Sequence, residues 1–156
     1  MTSDNIHILY GSETGNGESI AKFLMEDINN FHVNGKVTLS TLNDSIDINY
    51  IDVKCIIIIC STTGNGEFPE NASSWWRYYK NRIIEKNVFA NINFILFGLG
   101  DTNYSYFCNS IKKIDKRIME LAGTKVMNTT YIDEAVDTED VISEWICNVI
   151  AKLQQL

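Results

Sequence analysis

The sequence predicts a doubly wound α/β fold, a three-layer sandwich in which a five-stranded parallel sheet of order 2-1-3-4-5 carries helices on both faces. Strand-like and helix-like patterns alternate five times along the 156 residues, which favours right-handed crossovers between parallel strands. The run KCIIIIC at 54–60 is almost wholly apolar, as expected for a central strand covered on both faces. Glycine-containing loops follow three of the predicted strands.

The first half of the chain supplies three strands and one helix. A short apolar run predicts the first strand at 6–10. Apolar residues at helical spacing predict a helix over 18–30. Alternation predicts a strand over 36–42, near an edge of the sheet, and the central strand follows at 54–60. The segment 43–53 is ambiguous, with room for one or two weak helical turns.

The second half repeats the alternation. A helical pattern rich in aromatic residues covers 71–85, and the fourth strand follows at 92–97. An apolar stripe predicts a helix over 109–121, then a fifth strand over 125–131. The last helix is predicted over 138–153. We therefore expect one domain over residues 1–156.

The composition narrows the functional classes. Hydrophobic residues make up 45% and charged residues 21% of the chain, which is typical of a globular protein. The net charge of −7 disfavours a nucleic-acid partner, which needs a basic face. The longest strongly apolar run, 55–60, is too short to span a bilayer. None of the four cysteines forms a CxxC pair, so we expect reduced thiols in a cytoplasmic protein.

The first loop, SETGNG at 12–17, has the character of a phosphate site. Hydroxyls of Ser12 and Thr14 can donate hydrogen bonds, and glycines let successive N–H groups turn toward one anion, at the start of a helix. A triphosphate loop would need a lysine after its last glycine, and here that residue is Glu18. A phosphate held by neutral donors, or simply a tight turn, fits this loop.

Two further loops add a place for a flat ring. The second loop, at 62–66, exposes backbone among small residues, and the third carries Tyr104, which could stack on a planar ligand or merely cover the core edge. Loops after strands one, three and four meet at the carboxyl edge of such a sheet. Phosphate at one end and a heteroaromatic ring at the other describe a mononucleotide such as FMN.

No pattern indicates acid–base, nucleophilic or metal chemistry. His7 lies in a strand and His32 in a turn, and we interpret both as structural or solvated. We therefore assign no catalytic and no metal-ligating residue.

Three motifs, YGSETGNGESIA, STTGNGEFPEN and FGLGDTNYSYFCN, resemble the FMN-binding, flavodoxin-like domain of the diflavin reductases. This group includes cytochrome P450 reductase, sulfite reductase flavoprotein, methionine synthase reductase and nitric oxide synthase. The resemblance covers nearly the whole chain. The third motif and the following IDKRIMELAG are most similar to the methionine synthase reductase and sulfite reductase flavoprotein branches.

The resemblance implies roles for individual positions. The first loop would wrap the FMN phosphate, Ser61 to Gly64 would line the isoalloxazine ring, and Tyr104 would stack on its outer face. The peptide at Gly64 would flip during one-electron chemistry, which glycine permits. The full set of implied cofactor-binding residues is Ser12, Glu13, Thr14, Gly15, Asn16, Gly17, Ser61, Thr62, Thr63, Gly64, Asn65, Gly66, Leu99, Gly100, Asp101, Thr102, Asn103, Tyr104, Ser105, Tyr106, Phe107, Cys108 and Glu134.

The sequence departs from the family pattern in three places. Thr63 replaces the aromatic residue of cytochrome P450 reductase, so the inner flavin face would lack a stacking partner. Gly17 stands where many members have a small hydroxyl residue or alanine. The span 125–131 leaves no room for the fifth-strand insertion of long-chain flavodoxins.

The function that follows is a one-electron carrier holding FMN, an oxidoreductase only as part of a larger reductase. No FAD/NADPH module is expected within 1–156, so electrons would come from a separate or deleted module, and the chain would be a free-standing carrier or an excised domain, monomeric in either case. The electrons would pass to a haem, Fe–S or cobalamin partner with a basic face, and acidic residues of this chain would steer that partner to the site. Those acids are Glu13, Glu18, Glu67, Asp101, Asp133, Glu134 and Asp137.

Alternatives stay open at this point. The same fold could serve an NAD(P)H:quinone oxidoreductase or a cofactor-free receiver or scaffold domain. A nucleotide hydrolase is disfavoured by the missing lysine.

Overall fold

The computed structural model describes residues 5–31 and 33–156. The prediction for His32 lies outside these residues. Within these residues the strands are β1 Asn5–Gly11, β2 Val37–Thr41, β3 Val53–Ser61, β4 Asn93–Gly100, β5 Thr124–Lys125 and β6 Thr130–Asp133. The α-helices in the same ranges are α1 Asn16–Asn30, α2 Glu70–Tyr79, α3 Asn109–Glu120 and α4 Glu139–Gln155.

The strands form one parallel sheet in the order β2-β1-β3-β4-β5, with β6 also paired to β4, so the predicted order is confirmed. Ile8 of β1 is in register with Leu39 on one side and Ile57 on the other. Ile57 in turn faces Ile95 of β4. The predicted edge position of β2 is also confirmed.

Two apolar clusters, one on each face of the sheet, hold the three layers together. Alternate residues of β1, β3 and β4 pack against α1 and α4 on one face, and the intervening residues pack against α2 and α3 on the other. Every residue of β3 from Cys55 to Ser61 is buried, which explains why this strand is apolar on both faces. The sheet therefore presents the carboxyl ends of β1, β3 and β4 at one edge.

Helix α2 is shorter than predicted. It ends at Tyr79 rather than near residue 85, and residues 81–92 continue as turns. Arg117 of α3 binds carbonyl groups at this end, since its Nε donates to Tyr79 O at 2.7 Å and its Nη2 to Asn81 O at 3.0 Å. The aromatic residues that suggested the helix lie before residue 80, and Ile83, beyond its end, is 85% exposed.

The fifth strand is interrupted, where the sequence predicted one strand over 125–131. Lys125 Nζ contacts Asp115 Oδ2 at 2.9 Å and Thr129 Oγ1 at 3.1 Å, and Thr129 Oγ1 donates to the same carboxylate at 2.7 Å. This triad, called here the Lys125 clip, spans the break. Residues 132–133, which were predicted to lie in a loop, belong to β6.

The ambiguous segment 43–53 forms two 3₁₀ turns, Asn43–Ser45 and Tyr50–Asp52.

The described part of the chain contains no helix long and apolar enough to cross a membrane. All four cysteines are free, and only Cys147 is exposed. Burial raises the pKa of Cys55 to about 12 and also raises the pKa of Cys60. His7 of β1 contacts Thr38 Oγ1 through Nδ1 at 2.6 Å, and burial, followed by nearby Lys36, lowers its pKa. These contacts agree with a structural role for His7.

Candidate functional site

The first loop converges on a single oxygen. Ser12 Oγ accepts hydrogen bonds from the backbone N–H groups of Gly15 at 3.0 Å and Gly17 at 3.2 Å. Gly15, with φ of 93°, adopts a left-handed conformation and has no neighbour within 4 Å of an added Cβ. N–H groups that converge at the N-terminus of a helix are typical of anion sites, and here the Ser12 hydroxyl is their acceptor.

Two residues from distant elements contact this loop. Asn71 of α2 forms two hydrogen bonds with the backbone of Ser12. Glu134 Oε1 accepts a hydrogen bond from Asn16 Nδ2 at 3.0 Å. The resemblance implied that Glu134 lies near the flavin, and the structure puts it beside Asn16 of the first loop. Asn71 was missed, since no local pattern links it to Ser12.

The second loop is a tight turn closed by its own backbone. Gly66 N donates to Thr63 O at 2.9 Å, and Thr63 N donates to Glu67 O at 3.0 Å. Thr63 Oγ1 accepts from Glu67 N at 3.2 Å. Gly66 has φ of 79°, which a glycine tolerates without strain. The side chain of Thr63 thus supports the turn.

The third loop closes on the second through two tyrosines. The Tyr104 ring lies 3.5 Å from a Cβ placed on Gly64, and Tyr106 lies 2.7 Å from one placed on Gly66. A side chain on Gly66 would therefore collide with Tyr106. Tyr104 nevertheless remains 54% exposed. The aromatic residue predicted to stack on a ring is therefore adjacent to the glycine predicted to contact that ring.

The N-terminus of α3 ties these two loops together. Asn109 Nδ2 donates to Gly66 O at 2.9 Å, Ser110 N donates to Thr62 Oγ1 at 2.9 Å, and Ser110 Oγ donates to Glu67 O at 3.3 Å. Asn109 and Ser110 follow the predicted site residues directly. Their hydrogen bonds fix the distance between the loops that follow β3 and β4.

Some predicted site residues belong to the buried base of the site. Leu99, Gly100, Ser61 and Cys108 are buried, and the first three end strands β3 and β4. Burial raises the pKa of the Cys108 thiol to about 12. Ser61 Oγ is a buried polar atom without a hydrogen-bond partner among the described residues. An unpaired buried hydroxyl is costly, so Ser61 offers a donor and an acceptor at the edge where the loops meet.

Asp133 organises the start of the third loop. Its carboxylate accepts hydrogen bonds from Thr102 Oγ1 and Ala135 N, and these bonds, with that from Thr102 Oγ1 first, lower its pKa. Asp101 Oδ1 accepts from Asn103 N at 2.8 Å. The predicted rim acids are thus partly engaged in shaping loops. The remaining predicted positions, Glu13, Thr14, Asn65 and Ser105, are exposed, and Phe107 is half-buried.

The described residues also form a cavity of about 630 Å³ that the sequence did not predict. It lies between α1 and α4, and only Asn16, Leu99 and Glu134 of the predicted site line it. The predicted ring contacts at Gly64 and Tyr104 are outside it. We place the candidate site at the three loops, since the converging donors and the exposed aromatic residue are there. No cluster of three or more His, Cys, Asp or Glu residues that could hold a metal occurs in the described ranges.

Comparisons by sequence and by structure both find flavodoxins. The sequence model of the Flavodoxin family matches residues 8–145. The oxidised Flavodoxin 2 from Bacillus cereus superposes with a TM-score of 0.77 at 26% identity, over 97% of this chain and 98% of that one.

Curated relatives are longer proteins. Bos taurus methionine synthase reductase is 30% identical over 95% of this chain and 21% of its own length. The NADPH-dependent diflavin oxidoreductase 1 of Candida albicans is 33% identical over 98% and 26%. The sulfite reductase [NADPH] flavoprotein alpha-component of Buchnera aphidicola is 37% identical over 90% and 22%. The chain spans about a quarter or less of the length of these relatives.

Proposed function

Since the chain belongs to the flavodoxin family and binds FMN, we propose that it carries electrons from an FAD/NADPH reductase module to an acceptor protein with a basic face. When bound, FMN supplies the electron-transfer chemistry. The similarity to diflavin reductases over nearly the whole chain supports this role. The source module and the acceptor are part of the proposal.

The observation that carries the proposal is the convergence of three loops at the carboxyl edge of the sheet. The residues there fit FMN at both ends. Converging N–H groups at Ser12 suit the phosphate, and the exposed Tyr104 beside Gly64 suits a flat ring. The unpaired hydroxyl of Ser61 lies in the same edge. No lysine or arginine occurs in 12–17, 61–66 or 101–108, so neutral dipoles would hold the phosphate.

The protein's own residues would also guide its partner. Glu13 and Glu67, in the first and second loops, are exposed, and the chain carries a net charge of −7. Negative charge around a site raises the association rate of a basic protein and makes it fall with salt. We therefore infer that the acceptor approaches over the three loops. We also infer that the carrier is a monomer, so that these loops stay open to the acceptor.

The test begins with an absorption spectrum of the purified protein and the identity of any flavin released on denaturation. We expect flavin bands and release of FMN. A colourless protein that does not bind added FMN would contradict the proposal.

A second arm tests electron flow. FMN-loaded protein is mixed with an FAD/NADPH reductase module and with cytochrome c, a basic haem protein, as the acceptor probe. We expect NADPH-dependent haem reduction that needs both proteins and slows as salt is added. Quinone turnover by the isolated protein with NADPH alone would instead indicate a quinone oxidoreductase.

A further inference from the structure

The side chain of Asn71, in the first turn of α2, brackets the backbone of Ser12. Asn71 Oδ1 accepts a hydrogen bond from Ser12 N at 2.9 Å, and Asn71 Nδ2 donates to Ser12 O at 3.1 Å. Both ends of one amide group therefore bind one residue, across a sequence separation of 59 positions. A pair of bonds in opposite directions fixes the orientation of a peptide as well as its position.

Asn71 is itself held in place from two sides. A Cβ added to Gly11 would lie 2.7 Å from Ala72 Cβ, so the end of β1 approaches the first turn of α2 as closely as glycine allows. From the other side, Asn43 Nδ2 donates to Glu70 O at 2.8 Å, and Asn43 Oδ1 accepts from Trp75 N at 3.0 Å. The Asn71 amide thus projects from a helix turn whose place is already set.

The residue that Asn71 holds is the one on which the phosphate donors converge. Ser12 Oγ receives the N–H groups of Gly15 and Gly17, and the N-cap of α1, Gly15, provides no side-chain hydrogen bond. Because the loop contains no cation, its affinity for phosphate depends on the alignment of neutral donors. Alignment before binding saves the free energy that ordering would otherwise cost.

We propose that Asn71 is a positioning residue that gives the site its preference for a phosphorylated flavin over riboflavin. By fixing the Ser12 backbone, it sets the position of the Ser12 hydroxyl, the oxygen on which the N–H groups of Gly15 and Gly17 converge. This inference rests on the proposed function, since it concerns how the FMN site selects its ligand. Asn71 itself need not touch the phosphate.

The test compares two ligands that differ only in the phosphate. Flavin-free protein is titrated with FMN and with riboflavin, following flavin fluorescence, for the natural chain and Asn71→Ala. We expect the Kd for FMN to rise about tenfold, as for the loss of about 1.4 kcal/mol. The Kd for riboflavin should change by less than about twofold, because stability effects without a role in phosphate binding leave the Kd ratio unchanged.

Asn93→Ala is the matched control. Asn93 is also half-buried and donates through Nδ2 to a backbone oxygen, that of Lys54, at 3.2 Å. It begins β4, at the end of the strand away from the loops. We expect this variant to lose stability without changing the ratio of the two Kd values.

Parallel weakening of both flavins in Asn71→Ala, or unchanged FMN binding, would overturn the inference. Asn71→Leu keeps a similar volume and no charge but loses both the acceptor for Ser12 N and the donor to Ser12 O, so it repeats the test if the alanine variant does not fold, and it should also reduce the preference for FMN. A natural chain that binds neither flavin would instead refute the proposed function.

Discussion

At the phosphate end of the site, Ser12 takes part in four hydrogen bonds, two through its hydroxyl and two through its backbone. At the ring end, Tyr104 lies against Gly64 with 54% of its surface exposed. The first region is fixed by a residue from a distant helix. The second is fixed by hydrogen bonds from the start of α3 to the second loop and by packing of the third-loop tyrosines on its glycines. Recognition of the phosphate and of the ring should therefore be separable by mutation.

Of the changes considered, removal of the Ser12 hydroxyl should have the largest effect on the Kd for FMN. We expect Ser12→Ala to raise the Kd for FMN about tenfold to hundredfold, since a hydrogen bond to a charged group contributes about 1.5–3 kcal/mol. Riboflavin titration is the internal control and should change little. Equal weakening of both ligands would mean that the loop shapes the whole site rather than the phosphate end.

Tyr104→Ala should affect the other end. We expect weaker binding of both FMN and riboflavin by about 1–3 kcal/mol, the range of a base or ring stacking contact, with an unchanged ratio of Kd values. Tyr78 on α2, 49% exposed and away from the loops, provides the control Tyr78→Ala, which should leave both titrations unchanged. If Tyr104→Ala binds both flavins normally, its ring only covers the core edge.

Glu134→Gln should produce a smaller change of opposite sign. The carboxylate contacts Asn16 at the start of α1, so it repels a phosphate placed in the first loop. The amide keeps the shape and an acceptor, and we expect FMN to bind about two- to threefold more tightly, as for an exposed charge pair. Riboflavin serves as the uncharged reference, and tighter riboflavin binding would rule out charge as the cause.

Salt should have the smallest effect. A phosphate held by lysine or arginine loses affinity as salt screens the pair, whereas neutral donors are less sensitive. Titration with FMN at about 50 and about 500 mM NaCl should give Kd values within about threefold, or slightly tighter binding at high salt. A loss of about tenfold would reveal a cationic side chain at the phosphate end.

The sheet order and the convergence of the loops were predictable because they follow from periodicity. The continuous apolar run of β3 indicates a strand buried on both faces, and the glycine loops mark where strands end. The end of α2 was not predictable, because the side chain that binds its last carbonyl group belongs to Arg117, 38 residues from Tyr79. The residues between 79 and 85 give no indication of that contact.

In the site, too, some residues were predictable from the sequence and others were not. Loop residues such as Ser12 and Tyr104 stand out by composition and by resemblance. Asn71 and the cavity between α1 and α4 arise only when distant elements meet. Asn71 closes the motif STTGNGEFPEN, but nothing in that motif indicates its partner, so its contact with Ser12 required the three-dimensional structure.

The Lys125 clip has a consequence for the edge of the sheet. Lys125 remains in register with Phe94, and Thr130 with Phe97, so the segments before and after the break are each joined to β4 independently. Between them, Val126 N donates to Phe94 O at 3.1 Å and Thr129 belongs to the clip, so only Met127 and Asn128 are left to bridge the break. The edge of the sheet next to the third loop is thus attached at two separate places, so its position does not depend on one continuous strand.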